Sequence, residues 1–302
     1  MAPIIPLRVF ARGLVVACLA SLPVVSGALA DETDFDTSRM VTIGGSLTEI
    51  VYALGEEDRL VARDSTSVYP PEALNLPDVG YIRALSPEGV LSVDPGVIVL
   101  LEGAGPPEAL DVLEKASVPL VSVPESFDRD GILAKIRVVG DVLGVEDKAA
   151  ALAVRVKADL DQAQAATANI GERKKILFVL SLQGRRVMVS GSDTAADGII
   201  AMAGGVNAIA GYSGYKQLTD EAIIDAAPDL ILAMDRGAEL DVQADQLLVH
   251  PAIAATPAGA NQNILRMDGA FLLGFGPRTA AAVHELATAL YGDAIVVPGK
   301  EN

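Results

Sequence analysis

Residues 145–170 read VEDKAAALAVRVKADLDQAQAATANI, a run without a glycine or a proline. Ala149, Leu152, Val156, Leu160 and Ala163 recur at helical spacing and lay one apolar stripe along it. As a single helix the run measures about 39 Å at 1.5 Å per residue, long enough to strap one domain to another. The plainer reading is an interior helix of one large domain. What lies on either side favours the strap.

Upstream, Met40 to Ile43, Leu60 to Arg63, Val97 to Leu101 and Leu120 to Val123 are short, apolar, β-branched runs bounded by Gly, Pro or Asp, and they predict buried strands. Leu47 to Leu54, Pro87 to Leu91, Glu108 to Ala116 and Arg129 to Leu143 fall between or after them with helical spacing. Downstream a second series begins, with strands predicted at Ile176 to Leu180, Val187 to Ser190, Leu230 to Met234 and Ile264 to Met267. Strands alternating with helices imply parallel sheets and an α/β class.

The two series also resemble each other. Leu85-Ser86-Pro87-Glu88-Gly89-Val90-Leu91 aligns with Leu218-Thr219-Asp220-Glu221-Ala222-Ile223-Ile224 at a constant offset of 133, and Pro95 meets Pro228 at the same offset. Each copy reads as a Ser or Thr N-cap, an acidic helix start, a Pro-marked turn and a buried strand. Helix capping alone accounts for either glutamate, since an acid is favoured at the positive end of the helix dipole. Capping does not account for their recurrence at matched places in two halves.

Arg8 and Arg12, an apolar run from Gly13 to Val25 and Ala28-Leu29-Ala30 before Asp31 read as a cleaved export signal over residues 1–30. The run is too short to span a bilayer, which takes about 20 apolar residues. A lipoprotein reading at Cys18 conflicts with the apolar Leu19 to Val25 behind it. Cys18 is the chain's one cysteine, so the exported part has neither a disulfide framework nor a thiolate site. The formal charge is −17 over the whole chain and −19 once Arg8 and Arg12 are removed. Such a field repels a phosphate backbone, which argues against a nucleic-acid partner.

Catalytic parts are scarce. His250 and His284 are the whole supply of histidine, too few for a multi-histidine zinc site, and no G-x-S-x-G or phosphate-cradling loop is present. Gly44-Gly45-Ser46 and Ser190-Gly191-Ser192-Asp193-Thr194 precede helices and read as anion loops or as plain N-caps. Gly80-Tyr81-Ile82-Arg83-Ala84-Leu85 is of another kind. In extended backbone Tyr81 and Arg83, two apart, point the same way. A phenol ordinarily ionises at about pH 10, but bound to ferric iron and facing a guanidinium it persists as phenolate, and tyrosinate is a haem axial ligand type. From spacing alone an ordinary loop tyrosine reads equally well.

The chain resembles the haem-binding periplasmic proteins of bacterial haem-uptake ABC transporters, within the class that also binds cobalamin and ferric siderophores. The resemblance covers Arg39 to Tyr291 and rests on the shared order of residues 80–89, Glu102-Gly103-Ala104-Gly105-Pro106-Pro107, Thr194-Ala195-Ala196-Asp197, Gly204-Gly205-Val206-Asn207-Ala208, Gly211-Tyr212-Ser213-Gly214-Tyr215-Lys216, Thr256-Pro257-Ala258-Gly259 and Gly274-Phe275-Gly276-Pro277-Arg278. It implies two Rossmann-like lobes with central parallel sheets, residues 31–144 and 171–302, joined by the long helix over 145–170. It also implies a periplasmic, non-enzymatic monomer that carries haem in the inter-lobe cleft to an inner-membrane ABC permease–ATPase complex.

By the same resemblance Tyr81 is the iron ligand, Arg83 its support, and Glu88 and Glu221 the glutamates that dock on the permease. Some relatives have a second ligand, a histidine, in a Ser-His-Gly-Gly stretch. Here the stretch is Ser181-Leu182-Gln183-Gly184, so one five-coordinate haem is expected. Arg185, Arg186, Lys216, Arg236 and Arg278 are candidate partners for the propionates, and Tyr69, Tyr212 and Tyr215 candidate cleft walls, with surface or packing roles as the alternative. The rival cargo is a ferric siderophore or cobalamin.

Overall fold

Alternation along each predicted strand decides which face it turns to which core. In the first half, β1 (Met40–Ile43) and β3 (Val97–Leu101) are buried at every position, the mark of a parallel strand covered on both faces. Met40, Val97, Val99 and Leu101 enter one core, and Val41, Ile43, Ile98 and Leu100 enter another, as a two-residue period requires. With β2 (Leu60–Arg63) and β4 (Leu120–Val123) they form an all-parallel sheet in the order β2-β1-β3-β4. All four strands have the bounds read from the sequence. A computed structural model describes residues 36–235 and 243–295. The expected export signal and Arg236 lie outside these.

The helices of this half are α1 (Gly45–Leu54), α2 (Pro87–Leu91), α3 (Pro107–Lys115) and α4 (Arg129–Leu143). α4 ends at Gly144, whose φ of 65° supplies the left-handed cap. The chain then turns into α5 (Glu146–Ala165). A side chain at Gly140 would sit 2.2 Å from Cβ of Ala149, so α4 and α5 approach as closely as their backbones allow.

α5 is the helix expected over 145–170, but it is 20 residues long, about 30 Å. It stops at Ala165 because Thr167 and Asn169 are poor helix formers and the Thr167 hydroxyl turns back to the carbonyl of Gln164 at 3.4 Å. Its stripe is as read, with Ala153 added. α5 packs on α1 and α4 of the first half and on α12 (Thr279–Tyr291) of the second.

The second sheet runs β10-β9-β5-β6-β8, with β7 (Val206–Asn207) also on β5. β5 (Lys175–Gln183), β9 (Leu230–Asp235) and β10 (Ile264–Asp268) are parallel, whereas β6 (Arg186–Ser190) and β8 (Tyr215–Leu218) are antiparallel additions. The expectation of parallel sheets therefore holds for the first sheet and for part of the second. β5 and β6 are joined across Gly184 and Arg185 alone, with Gly184 at φ 62°. A two-residue link permits a hairpin and no crossover helix.

Ile176 and Phe178 of β5 and Leu230 and Leu232 of β9 join the same core as Met40, Val97 and the α5 stripe. The inner faces of both sheets thus share one apolar core through α5. α6 (Ala195–Met202), α7 (Asp220–Ala226), α8 (Ala244–Leu248), α9 (Pro251–Ala254), α10 (Pro257–Ala260) and α11 (Gly269–Leu273) complete the second half. No described helix is long and apolar enough to cross a membrane.

Candidate ligand-binding site

The loop from Asp64 to Ser86 is held at its base by buried polar groups. The Asp64 carboxylate is fully buried and accepts from Gly44 N at 3.0 Å, Thr66 N at 3.0 Å, Thr66 Oγ1 at 2.7 Å and Ser67 Oγ at 2.7 Å. Four donors to one carboxylate offset the cost of removing its charge from water. Gly44, at the start of α1, is thereby committed to Asp64, and the Gly44-Gly45-Ser46 segment serves as a helix start. The loop's limbs are tied by Ser65 N donating to Gly80 O at 2.9 Å and by Asp78, which takes Arg63 Nη1 at 3.0 Å and Gly80 N at 2.8 Å.

Tyr81 and Arg83 rise from this base. They do not lie in extended backbone. Ala84 N donates to Tyr81 O at 2.7 Å, which closes a turn over residues 81–84, and the parity argument for a shared direction does not apply. The turn is fixed from outside, with Gly105 N donating to Ile82 O and Leu85 N to Gly105 O. Gly80 holds φ 107°, a conformation that glycine adopts without strain. Tyr81 is 49% exposed. Among the described residues neither the Tyr81 hydroxyl nor the Arg83 guanidinium has a hydrogen-bond or ion-pair partner.

Tyr69 stands on the other limb of the loop, and Arg278 from the second half lies 3.5 Å from its ring centre. Arg278 is already committed. Its Nε and Nη2 reach Glu49 Oε1 and Oε2 of α1 at 2.6 and 3.2 Å. Burial pushes the Glu49 carboxyl up, and the Arg278 guanidinium only partly offsets this. Close by, the fully buried Lys135 of α4 meets Glu125 at 2.5 Å and Ser46 at 3.5 Å, and burial pushes its ammonium down. Phe127 packs edge-on to Phe275 at 5.3 Å.

Glu49 and Lys135 were missed in the sequence. A signal for Lys135 was present: it occupies the apolar stripe Ile132, Ile136, Val139 of α4. A lysine on a buried face needs a partner.

The other candidates fall apart from this group. Arg185 pairs with Asp220 at 2.6 Å, and Lys216 lies over the Tyr212 ring at 4.6 Å. Arg186 is exposed and has no side-chain partner among the described residues. Tyr212 and Tyr215 are half-buried against the cores, Tyr215 edge-on to Phe178 at 6.5 Å. Leu182 sits in β5 opposite Val187 and packs on the outer core of the second sheet.

His250 is buried, with Nε2 3.2 Å from Arg185 O, whereas His284 is exposed on α12. Glu88 and Glu221 are both exposed at the second position of α2 and α7, behind the Ser86 and Thr219 caps. Bonds from its own backbone amide and from Ser86 hold the Glu88 carboxyl below its usual range.

Comparison with known proteins fits this architecture. A periplasmic heme-binding protein, BhuT, solved in complex with two hemes, is 40% identical and superposes with a TM-score of 0.79 over 85% of this chain and 99% of its own. An uncharacterized ABC transporter substrate-binding lipoprotein of Bacillus subtilis, YvrC, is 26% identical over 85% of this chain and 81% of its own. A vitamin B12-binding protein of Vibrio cholerae is 23% identical over 85% of this chain and 90% of its own. The family model described as periplasmic binding protein matches residues 40–270. Since that span runs from the first residue of β1 into α11, it takes in both sheets and the helix between them, and the chain belongs to the periplasmic binding protein family.

Proposed function

We propose that this chain binds one haem in a cleft between its two lobes, through a Tyr81 phenolate supported by Arg83, and delivers it to an inner-membrane ABC permease. The observation that carries the reading is that an exposed phenol and an exposed guanidinium, both unpartnered among the described residues, stand on one turn braced by Gly105 and, at Gly80, by Ser65. A haem is flat and apolar on its faces, with ferric iron at the centre and two carboxylates at one edge. Ferric iron and the guanidinium both stabilise a phenolate. Apolar groups of the second lobe cover the face away from Tyr81, and Arg186 and Lys216 remain the candidate cations for the propionates, with Arg236 a further candidate from the sequence alone.

On this reading residues 1–30 are an export signal, 31–144 and 171–302 the lobes, and 145–170 the segment that links them. The protein is a periplasmic monomer that makes no covalent change in its cargo. BhuT carries two hemes. Here Leu182 stands where a second protein ligand is needed and is committed to packing, which supports a single haem. Glu88 and Glu221, alike in exposure, helix position and cap, are the docking points on the permease. The core shared through α5 keeps the lobes' relative motion small, and small-angle scattering should show little compaction on loading.

The rival cargo, cobalamin or a ferric siderophore, has its support in the vitamin B12-binding relative. Absorption spectra of the purified protein with haemin and with cyanocobalamin decide between them. An intense Soret band that Tyr81→Ala abolishes, with no retention of the corrinoid, is the expected result. Retention of cyanocobalamin and a haemin spectrum indifferent to Tyr81→Ala would reject it.

A further inference from the structure

Tyr69 is a large side chain left 40% exposed, yet one face of its ring is occupied by a guanidinium from the other half of the molecule at 3.5 Å. Arg278 has no freedom to move off. Its fork is closed on the Glu49 carboxylate at 2.6 and 3.2 Å, and the Glu49 side chain is only 9% exposed. Phe271 flanks the guanidinium at 5.3 Å. An ion pair that served only to hold the halves together has no need of an exposed ring, and an exposed ring without the ion pair would rotate with solvent. Together they form a column in which a buried acid orients an arginine and the arginine orients a tyrosine. The limb that bears Tyr69 is bonded to the limb that bears Tyr81 through Ser65 and Gly80.

We infer that Arg278, anchored by Glu49, is a positioning residue for cargo recognition, holding the Tyr69 ring as a flat stacking wall for the conjugated macrocycle of the ligand. This rests on the reading of haem as cargo. The guanidinium covers one ring face, so the other is the face offered to the ligand, and a planar π-system fits there better than a corrinoid carrying bulky axial groups. On this inference Arg278 contributes indirectly, through the Tyr69 ring, and not as a propionate partner.

The test is a double-mutant cycle in haemin affinity, measured by Soret titration. Removing both charges together, as E49Q with R278Q, avoids leaving an unpaired buried charge. Y69A should weaken haemin binding by about tenfold, the scale of one aromatic stacking contact, while Y69F, which keeps the ring, stays within about twofold of wild type. The charge-free pair should weaken binding comparably in the wild-type background and have no further effect in Y69A. The chain has no tryptophan, so Y69W gives a single reporter whose quenching by acrylamide should rise when Glu49 and Arg278 are replaced, with or without haemin. A Soret band that depends on Tyr81 together with additive effects of the Tyr69 and Arg278 changes overturns the inference and leaves the haem reading standing. No Soret band in the wild type overturns both.

Discussion

The two halves repeat the same capped helix start but differ in what their loops leave unpaired. In the first, Tyr81 and Arg83 project from a loop whose base is locked on the buried Asp64, and neither has a side-chain partner among the described residues. In the second, Arg185 is neutralised by Asp220, Lys216 lies over Tyr212 and Arg278 is closed on Glu49, which leaves Arg186 alone of these candidates without a partner among the described residues. A cation that already faces a carboxylate has little left to give an anionic ligand, whereas an unpaired one keeps its full effect. The difference supports the proposal that the grip on iron belongs to the first half, with the second supplying cover and, through Arg278, alignment.

What the halves share should give the largest effect. Glu88→Ala combined with Glu221→Ala is expected to abolish cellular haem uptake while haemin affinity stays within about twofold, the scale of a surface substitution away from a site. Unaltered uptake would remove the docking role from both. What separates the halves comes next. Arg83→Ala should weaken haemin binding by about 10–100-fold, as loss of a partner to a metal ligand does. Arg186→Ala should cost only a fewfold, as exposed charges do. Equal losses would erase the asymmetry.

The join between the halves is tested by Gly198→Ala. A Cβ there would stand 2.2 Å from the carbonyl oxygen of Phe127, so the substitution should cost about 2 kcal/mol and lower the melting temperature by about 6 °C in calorimetry. An unchanged midpoint would mean that α6 and the Phe127 segment are not in fixed contact.

The smallest effect is a slope. Burial raises the Glu49 carboxyl in the folded state, so the folded chain holds that proton more tightly than the unfolded chain. Stability attributable to Glu49 is therefore greatest in acid and falls as pH rises from about 4, the ordinary glutamate value, through the raised one. Urea midpoints followed over that window should lose part of their downward trend in Glu49→Gln. A trend unaffected by the substitution would show that the carboxylate bears no net desolvation cost.

Much of the architecture was legible because it is written in short-range pattern. The β-branched runs from Met40 to Val123 give four strands at the bounds expected, and the 133-residue repeat places two like-capped helices. β8 was not foreseen, because Tyr215-Lys216-Gln217-Leu218, at a sheet edge, has neither an apolar run nor a two-residue alternation. The turn at residues 81–84 was not foreseen either. The bonds that brace it come from Gly105, a neighbour in space that spacing along the chain does not reveal. The Glu49–Arg278 fork joins positions 229 apart, beyond any local signal, although an acid between the buried Thr48 and Ile50 marks a charge in need of a partner.

The claim on which the account turns is that an oxygen of the first half grips ferric iron. Tyr81→Phe removes that oxygen and keeps the ring, so haemin titrations of Tyr81→Phe beside wild type test it most directly. A wild-type spectrum of five-coordinate ferric haem with tyrosinate character, replaced in Tyr81→Phe by weak binding and the spectrum of free haemin, is the predicted result. An identical spectrum and affinity in the two proteins would contradict it.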